Sequence, residues 1–531
     1  MLLSAANLNV TIIKVDPYLN IDAGTMSPHE HGEVFVLDDG HECDLDLGNY
    51  ERALNKNLTK HHSITTGVIY SKVFAAERCG HYKGKTVQLI PHMTDCIIEH
   101  IVNTASMRLT GSNQKPDVCL IEIGGPVGDI ESALFLEAIR QFKTKYTHDK
   151  ILVCHVAFVP QIEEEQKTKC AQHSVSLLKQ AGLFPDFIIA RCNTVLNDRA
   201  KQKIAIYSGL SPECIISQHN VKHFYKVIST LQQQDLTNKI LKALNIPLES
   251  LSPNKSAQIK LKYMITKATD YHAKNAASAD RHKIAFVIKY GGSNSTYTSV
   301  LKAMEYAGIA TDVFYELVEI NSELLDPSLN SSEYENEWRK LKSCSAILLP
   351  GGFGYRGTNG MIAAVKYARE SMTPFFGICL GMQLVCIEAA QTFINPQCGS
   401  EEFGAMDDKR VICFLAKNEN SAFNGTMRLG LNSIRIDDED SLIYRCYNKQ
   451  KLINERHRHK YVMNNAYENK LTKFGYIFPA KDKLHHHIEA VEFKNHPFFI
   501  GVQYHPEFLS RFETPSPIFV EFLKSIHKQD K

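Results

Sequence analysis

Short apolar runs alternate along this chain with stretches whose apolar residues recur three and four positions apart. The first pattern predicts buried strands and the second predicts amphipathic helices. In the first half, strands are expected at residues 10–15, 86–89, 117–123, 151–159, 187–190 and 214–217. Helices are expected at 64–79, 94–104 and 132–143, and another is expected to begin at about Glu165. Strands alternating with helices make a parallel α/β sheet. Around 247–282 the pattern changes to a turn-rich segment and one polar helix, read as a linker. A second α/β domain follows, with strands at 284–289 and 311–317 and a helix at 296–307. The expected division is 1–246, linker 247–282 and 283–531.

The second domain is organised around Thr373-Pro-Phe-Phe-Gly-Ile-Cys-Leu-Gly-Met-Gln383. Pro374 to Ile378 reads as a buried strand, and Leu380 to Ala390 as a helix. Cys379 lies at the junction with Gly377 and Gly381 on either side, the pattern of a nucleophile elbow with Cys in place of Ser. A helix N-terminus there favours thiolate over thiol. Downstream, Gly501-Val-Gln-Tyr-His505-Pro-Glu507 supplies a base, His505, and a carboxylate to orient it, Glu507. Upstream, Ala346 to Pro350 reads as a strand that runs into Gly351-Gly352-Phe353-Gly354, whose backbone N–H groups can face an oxyanion. Together these predict acyl transfer.

Composition narrows the partners. The chain has 531 residues, is 44% hydrophobic and 22% charged, and has a net charge of +2. Without a basic excess, nucleic acid is not an expected partner. Fourteen cysteines without a C-x-x-C pair point to reduced thiols and a cytoplasmic setting. No apolar run approaches a membrane span, so no membrane association is expected.

Other local patterns bear on the first domain. Asp44 and Asp46 alternate, as on an extended segment that presents two carboxylates one way and could hold Mg²⁺. Glu122 ends a strand before a glycine-rich turn and a helix, where α/β sheets place ligand groups. Lys167 and Lys169 at a helix start oppose its dipole, so a bound anion would explain them. Gly80 to Thr86 is one residue short of a P-loop and lies between a helix and a strand, so it reads as a plain turn.

The motifs PGGFG, GICLGMQ and YHPE resemble the class I glutamine amidotransferase domain. The resemblance makes Cys379 the nucleophile, His505 the base and Glu507 its orienter, with Gly352 and Leu380 donating to the oxyanion. It implies that Gly352, Leu380, Gly381, Met382, Gln383, Glu402 and Arg458 hold glutamine.

A closer resemblance runs through both domains. Lys14 to Pro28, His31 to Gly40, Asp44 to Arg52, Glu122-Ile-Gly-Gly, Gly128-Asp-Ile-Glu-Ser and Gln166-Lys-Thr-Lys are similar to the CTP synthase family. So are Gly425 to Gly430 and Glu455 to Tyr461. The resemblance implies ATP-dependent amination of UTP to CTP with ammonia from glutamine, Mg²⁺ at the ATP, GTP as an activator, and a homotetramer. It implies that Asp46 and Glu122 hold Mg²⁺ and that Lys14 steadies the transferring phosphoryl group. Asp129, Ile130 and Glu131 would line the nucleotide site. Lys167, Thr168, Lys169, Cys170, Ala171, Gln172 and His219 would bind the UTP or CTP triphosphate.

The expected fold is therefore α/β: an N-terminal domain like the P-loop NTPases, followed by a class I amidotransferase domain. The family opens with a strand and an S-x-x-G-K-G loop. This chain begins within the next helix, so its first strand and P-loop are expected to be missing. Cys170-Ala171 stands where the family has Pro-Thr, Pro126 where it has Thr, and His219 where many members have Lys. A second reading follows from the missing loop: a synthase-inactive paralogue or isoform acting as an oligomer partner or residual glutaminase.

Overall fold

The computed structural model describes residues 1–109, 114–146, 150–247, 255–289, 291, 294–329, 331–415, 427–484 and 486–527. Residues 248–254 of the expected linker, and Gly425 and Thr426 of one family-like motif, lie outside them. The chain divides into two compact units, and the division is interleaved. One unit comprises Met1–Thr25 with Asn49–His272, and the other Met26–Gly48 with Ala273–Lys531. Residues 26–48, expected in the first domain, thus fold with the second unit. The stretch expected as a linker carries the 23-residue helix Lys255–Ala277.

In the first unit the parallel strands form two three-stranded sheets. Val10–Asp16 is central in one, between Ser63–Thr65 and Val118–Ile123. Phe187–Cys192 is central in the other, between Ile215–His219 and Cys154–Val159. Ile13, Val15, Ile64, Ile97, Ile101, Phe135 and Ile139 pack one buried cluster. Burial in Cys154–Val159 alternates strictly, leaving Val156 and Phe158 exposed on one face.

Three local expectations change. Residues 86–89 form no strand: the segment is largely exposed, unpaired with any strand, and leads into the helical turn Leu89–Met93. The helix expected from Glu165 begins at Lys169, because Glu165–Gln166 pairs as a strand with Gln161–Ile162. Asp44 and Asp46 do not alternate on an extended segment. Asp46 lies in the first turn of the helix Leu45–Leu54, and Asp44 Oδ1 accepts its backbone N–H at 2.9 Å, which satisfies an orphan donor at the helix start.

The second unit is built on a sheet that is nine-stranded among the described residues. From one edge it runs Tyr315–Asn321, His282–Ile288, Ala346–Leu349, Phe375–Ile378, Phe499–Val502, Ile488–Phe493, Tyr476–Asp482, Arg428–Ile436 and Leu452–His459. The first five strands are mutually parallel, and the remainder pair antiparallel. Apolar clusters cover both faces, as a sheet with central parallel strands requires. The strand expected at 311–317 begins later because the helix Thr298–Thr311 occupies its start. Among the described residues no helix is long and apolar enough to cross a membrane. None of the fourteen cysteines is joined in a disulfide, and Cys79, Cys154 and Cys170 are exposed.

Candidate active site

The strand Phe375–Ile378 ends at Cys379, and the helix Leu380–Phe393 begins one residue later. Cys379 takes φ +52°, a conformation costly for a residue with a Cβ. Its N–H donates to the Val502 carbonyl at 2.7 Å, which anchors the turn to the neighbouring strand. The flanking glycines leave no room for side chains. A Cβ on Gly377 would lie 2.8 Å from the Gly381 carbonyl carbon, and one on Gly381 would lie 2.6 Å from the Leu349 oxygen. Backbone on both sides explains why glycine stands at minus two and plus two.

His505 and Glu507 lie just beyond the adjacent strand Phe499–Val502. His505 Nδ1 and Glu507 Oε1 are 2.7 Å apart, and both residues are buried. The imidazole stacks on the Phe508 ring, with centroids 5.0 Å apart. Burial opposes charge on His505, but Glu507 and Cys379 outweigh it and push the imidazole up to about 10. His505 Nε2 is buried, and a proton taken from the Cys379 thiol would rest on it as an imidazolium beside the thiolate.

The glycine-rich loop packs against both base and nucleophile. A Cβ on Gly351 would lie 2.8 Å from His505 Cε1 and 3.4 Å from Cys379 Cβ, and one on Gly352 would lie 3.5 Å from Leu380 Cδ2. The loop backbone thus lies against Cys379 and the first residue of the helix, the two places from which backbone N–H groups can serve an oxyanion. Lys289, almost fully buried, donates from below to the Phe353 carbonyl at 3.3 Å and to the Gly354 carbonyl. Burial, and to a smaller extent Arg356, lowers its ammonium to about 8, although Glu402 works the other way.

The structure brings the other candidates of this unit around the elbow. Glu402 Oε1 accepts from the Gly354 N–H at 2.8 Å. The Arg458 guanidinium lies 5.0 Å from the Phe353 ring centroid, and the Cys379 thiol points at the Arg458 carbonyl, 3.7 Å away. Met382 is buried under the strand Phe499–Val502, where a Cβ on Gly501 would meet its Cα at 2.8 Å. Gln383 is also buried, and its Nε2 donates to the Tyr461 carbonyl at 3.1 Å and to Gln503 Oε1 at 3.2 Å.

In the first unit Lys14 is buried near the end of its strand, 3.3 Å from Asp16 and 4.0 Å from Glu122 on the adjacent strand. Tyr50 also donates its hydroxyl to Glu122. Asp129, Ile130 and Glu131 are exposed in the turn before the helix Ala133–Lys145. Thr168 is the N-cap of the helix Lys169–Gln180, and its Oγ1 accepts from Gln172 Nε2 at 3.1 Å. Lys169 and Cys170 are exposed there, Ala171 is buried, and Lys167 pairs with Glu165 at 2.6 Å. His219 ends the strand Ile215–His219. Asp46 belongs to the second unit and Glu122 to the first. Both are hard oxygen donors of the kind Mg²⁺ takes, and neither is accompanied by a cluster of three or more metal-binding side chains among the described residues.

Sequence reading gave no role to Gln503, Lys289, Asp38 or Glu42. Gln503 had a usable signal: it precedes His505 by two in an extended run, so both project to the same side. The others come together only in three dimensions. Asp38 pairs with Arg456 at 2.7 Å and Glu42 with Arg458 at 2.8 Å, across more than 400 residues of chain.

Comparison with known proteins gives two family matches. Residues 1–246 match the CTP synthase N-terminus, and residues 296–525 match class I glutamine amidotransferase. The chain is 41% identical over 528 residues to CTP synthase 1 of Danio rerio, covering 98% of this chain and 88% of that protein. It is 42% identical over 538 residues to the CTP synthase of Dictyostelium discoideum, covering 99% of this chain and 94% of that protein. A solved glutaminase domain of Trypanosoma brucei CTPS with bound acivicin is 34% identical, with a TM-score of 0.43, over 46% of this chain and 94% of that one. With both domains matched in order and nearly the whole length aligned, the chain belongs to the CTP synthase family.

Proposed function

We propose that this chain converts UTP to CTP, with ATP as co-substrate and ammonia drawn from glutamine. The observation that carries the reading is one chain in which a Cys379–His505–Glu507 elbow follows a domain of the CTP synthase N-terminal family. His505 takes the Cys379 proton, and the sulfur attacks the glutamine carboxamide carbon. Gly352 and Leu380 N–H groups receive the oxyanion. Collapse expels ammonia, protonated by His505, and leaves a thioester at Cys379. Water then splits the thioester to glutamate, with His505 as base and Glu507 holding its orientation. Arg458, Glu402 and the backbone of Leu380 to Gln383 hold the glutamine.

In the synthase unit the γ-phosphoryl of ATP passes to the uracil 4-oxygen, and ammonia displaces the resulting phosphate. Lys14 is a buried positive charge that steadies the transferring group. Asp46 and Glu122 are each a carboxylate that would bind Mg²⁺, which neutralises phosphate charge. Asp129 to Glu131 line the nucleotide, while Lys167 to Gln172 and His219 take the UTP triphosphate. GTP activation, a homotetramer and a cytoplasmic location belong to the same proposal.

The test is CTP formation from UTP and ATP·Mg²⁺, with ammonium chloride and separately with glutamine. Cys379→Ala should abolish the glutamine-driven reaction and spare the ammonia-driven one. Equal loss with both nitrogen sources would overturn the two-site scheme, and CTP from neither source in the unaltered chain would overturn the synthase assignment.

A further inference from the structure

The side chain of Gln503 is fully buried beside the nucleophile, and the scheme above gives it no task. Its Nε2 lies 3.6 Å from Cys379 Sγ. Which end of this amide faces the sulfur decides its chemistry, and the surroundings determine that end.

The chain of constraint starts at a backbone carbonyl. The Tyr461 oxygen can only accept, and it takes Gln383 Nε2 at 3.1 Å and His459 Nδ1 at 2.9 Å. The Gln383 amide therefore presents its nitrogen to this carbonyl. The second hydrogen of that nitrogen goes to Gln503, 3.2 Å away, and the atom receiving it must be Oε1. With Oε1 committed, Gln503 has only its NH₂ to offer the sulfur. Flipping Gln503 would set NH₂ against NH₂ and oxygen against sulfur, with both amide side chains buried.

We propose that Gln503 is a thiolate-stabilising donor for Cys379 and that Gln383 is the positioning residue that sets its polarity. An N–H aimed at sulfur favours the charged form over the neutral one, because hydrogen bonds to ionised acceptors are the stronger kind. The Arg458 carbonyl, 3.7 Å from Sγ, and His505 can each take the thiol's hydrogen, so Gln503 contacts the sulfur as a donor in both protonation states. The buried Gln383 side-chain nitrogen spends both hydrogens inside the protein, so it acts on glutamine hydrolysis through Gln503.

This inference rests on Cys379 being the glutaminase nucleophile, and its test separates the two claims. Alkylation of Cys379 by iodoacetamide, followed peptide by peptide against pH by mass spectrometry, reports thiolate formation without any need for catalysis. Gln503→Met should move the midpoint upward by about one pH unit, the worth of one charge-assisted hydrogen bond. Gln503→Glu, nearly isosteric but without the amide donor, should move it at least as far. Gln383→Met should move it in the same direction by less, and the double variant should add little to Gln503→Met. Glutamine kcat near neutral pH should fall roughly tenfold in Gln503→Met and recover as pH rises.

An unchanged midpoint in both Gln503 variants, with thermal unfolding showing a folded chain, would overturn the proposal even if kcat fell, since lost packing alone would do that. If instead Cys379→Ala retained glutamine hydrolysis, the nucleophile assignment itself would fall.

Discussion

Arg458 Nε donates to Glu42 Oε1 at 2.8 Å, joining two residues separated by 416 positions. The pair ties the segment 26–48 to the wall of the glutaminase site, because the same guanidinium covers Phe353 in the glycine-rich loop and the same residue's carbonyl receives the Cys379 thiol. Glu42→Gln keeps the shape and removes the charge that holds the arginine. We expect a several-fold higher KM for glutamine, with kcat and ammonia-driven CTP synthesis little changed. Steady-state kinetics with the two nitrogen sources reads this directly.

The elbow glycines offer a stability contrast. A Cβ on Gly381 would press on the Leu349 carbonyl at 2.6 Å, whereas one on Gly354 would meet nothing within 4 Å. Gly381→Ala should cost about 3 kcal/mol, at the upper end for overpacking, because backbone cannot step aside. Gly354→Ala meets only its positive φ of +77° and should cost about 1 kcal/mol. Urea midpoints of the two variants test the difference.

His505 gives a pH signature. Its folded value, about 10, exceeds the ordinary 6.5, so its protonation stabilises the fold fully below pH 6.5 and that contribution is lost as pH rises through about 10. Glu507→Gln removes the main partner of the imidazolium. The variant should be less stable than the parent at pH 6, and the gap should narrow by pH 10. Thermal melting at both pH values would show an unvarying gap if the interaction made no such contribution.

Glu455 works by the same sign through a different cause. Burial raises its carboxyl to about 8, with Glu507 adding to the shift and the Tyr447 hydroxyl, 2.7 Å away, opposing it. A raised carboxylate contributes stability below its ordinary 4.5 that is lost as pH rises through 8. Glu455→Gln cannot ionise, so its melting temperature should decline less between pH 5 and pH 8 than that of the parent. Parallel curves would refute this.

Local signals in the sequence were enough for much of this protein. The elbow was legible because glycine, cysteine and helix periodicity occupy adjacent positions, and their geometric cause is short-range: Gly377 against Gly381, and Cys379 at a helix start. His505 and Glu507 were legible because a histidine and a carboxylate stand two apart at the end of a strand-like run. Strands such as Val10–Asp16 and Val118–Ile123 announced themselves by short runs rich in apolar and β-branched residues.

Tertiary structure decided what depends on partners remote in sequence. Nothing near Asp38 or Glu42 signals Arg456 or Arg458, so the placement of residues 26–48 with the second unit could not be read locally. Residues 86–89 have strand composition but no neighbouring strand to satisfy their backbone, and Asp46 was drawn into a helix by the cap that Asp44 offers. The polarity of Gln503 is the clearest case. An amide in a sequence has two equivalent ends, and only the Tyr461 carbonyl, acting through Gln383, makes one of them face the sulfur. Residue types along a chain determine which chemistry is available, and the fold determines which hydrogen-bonding end of each group the reacting atom meets.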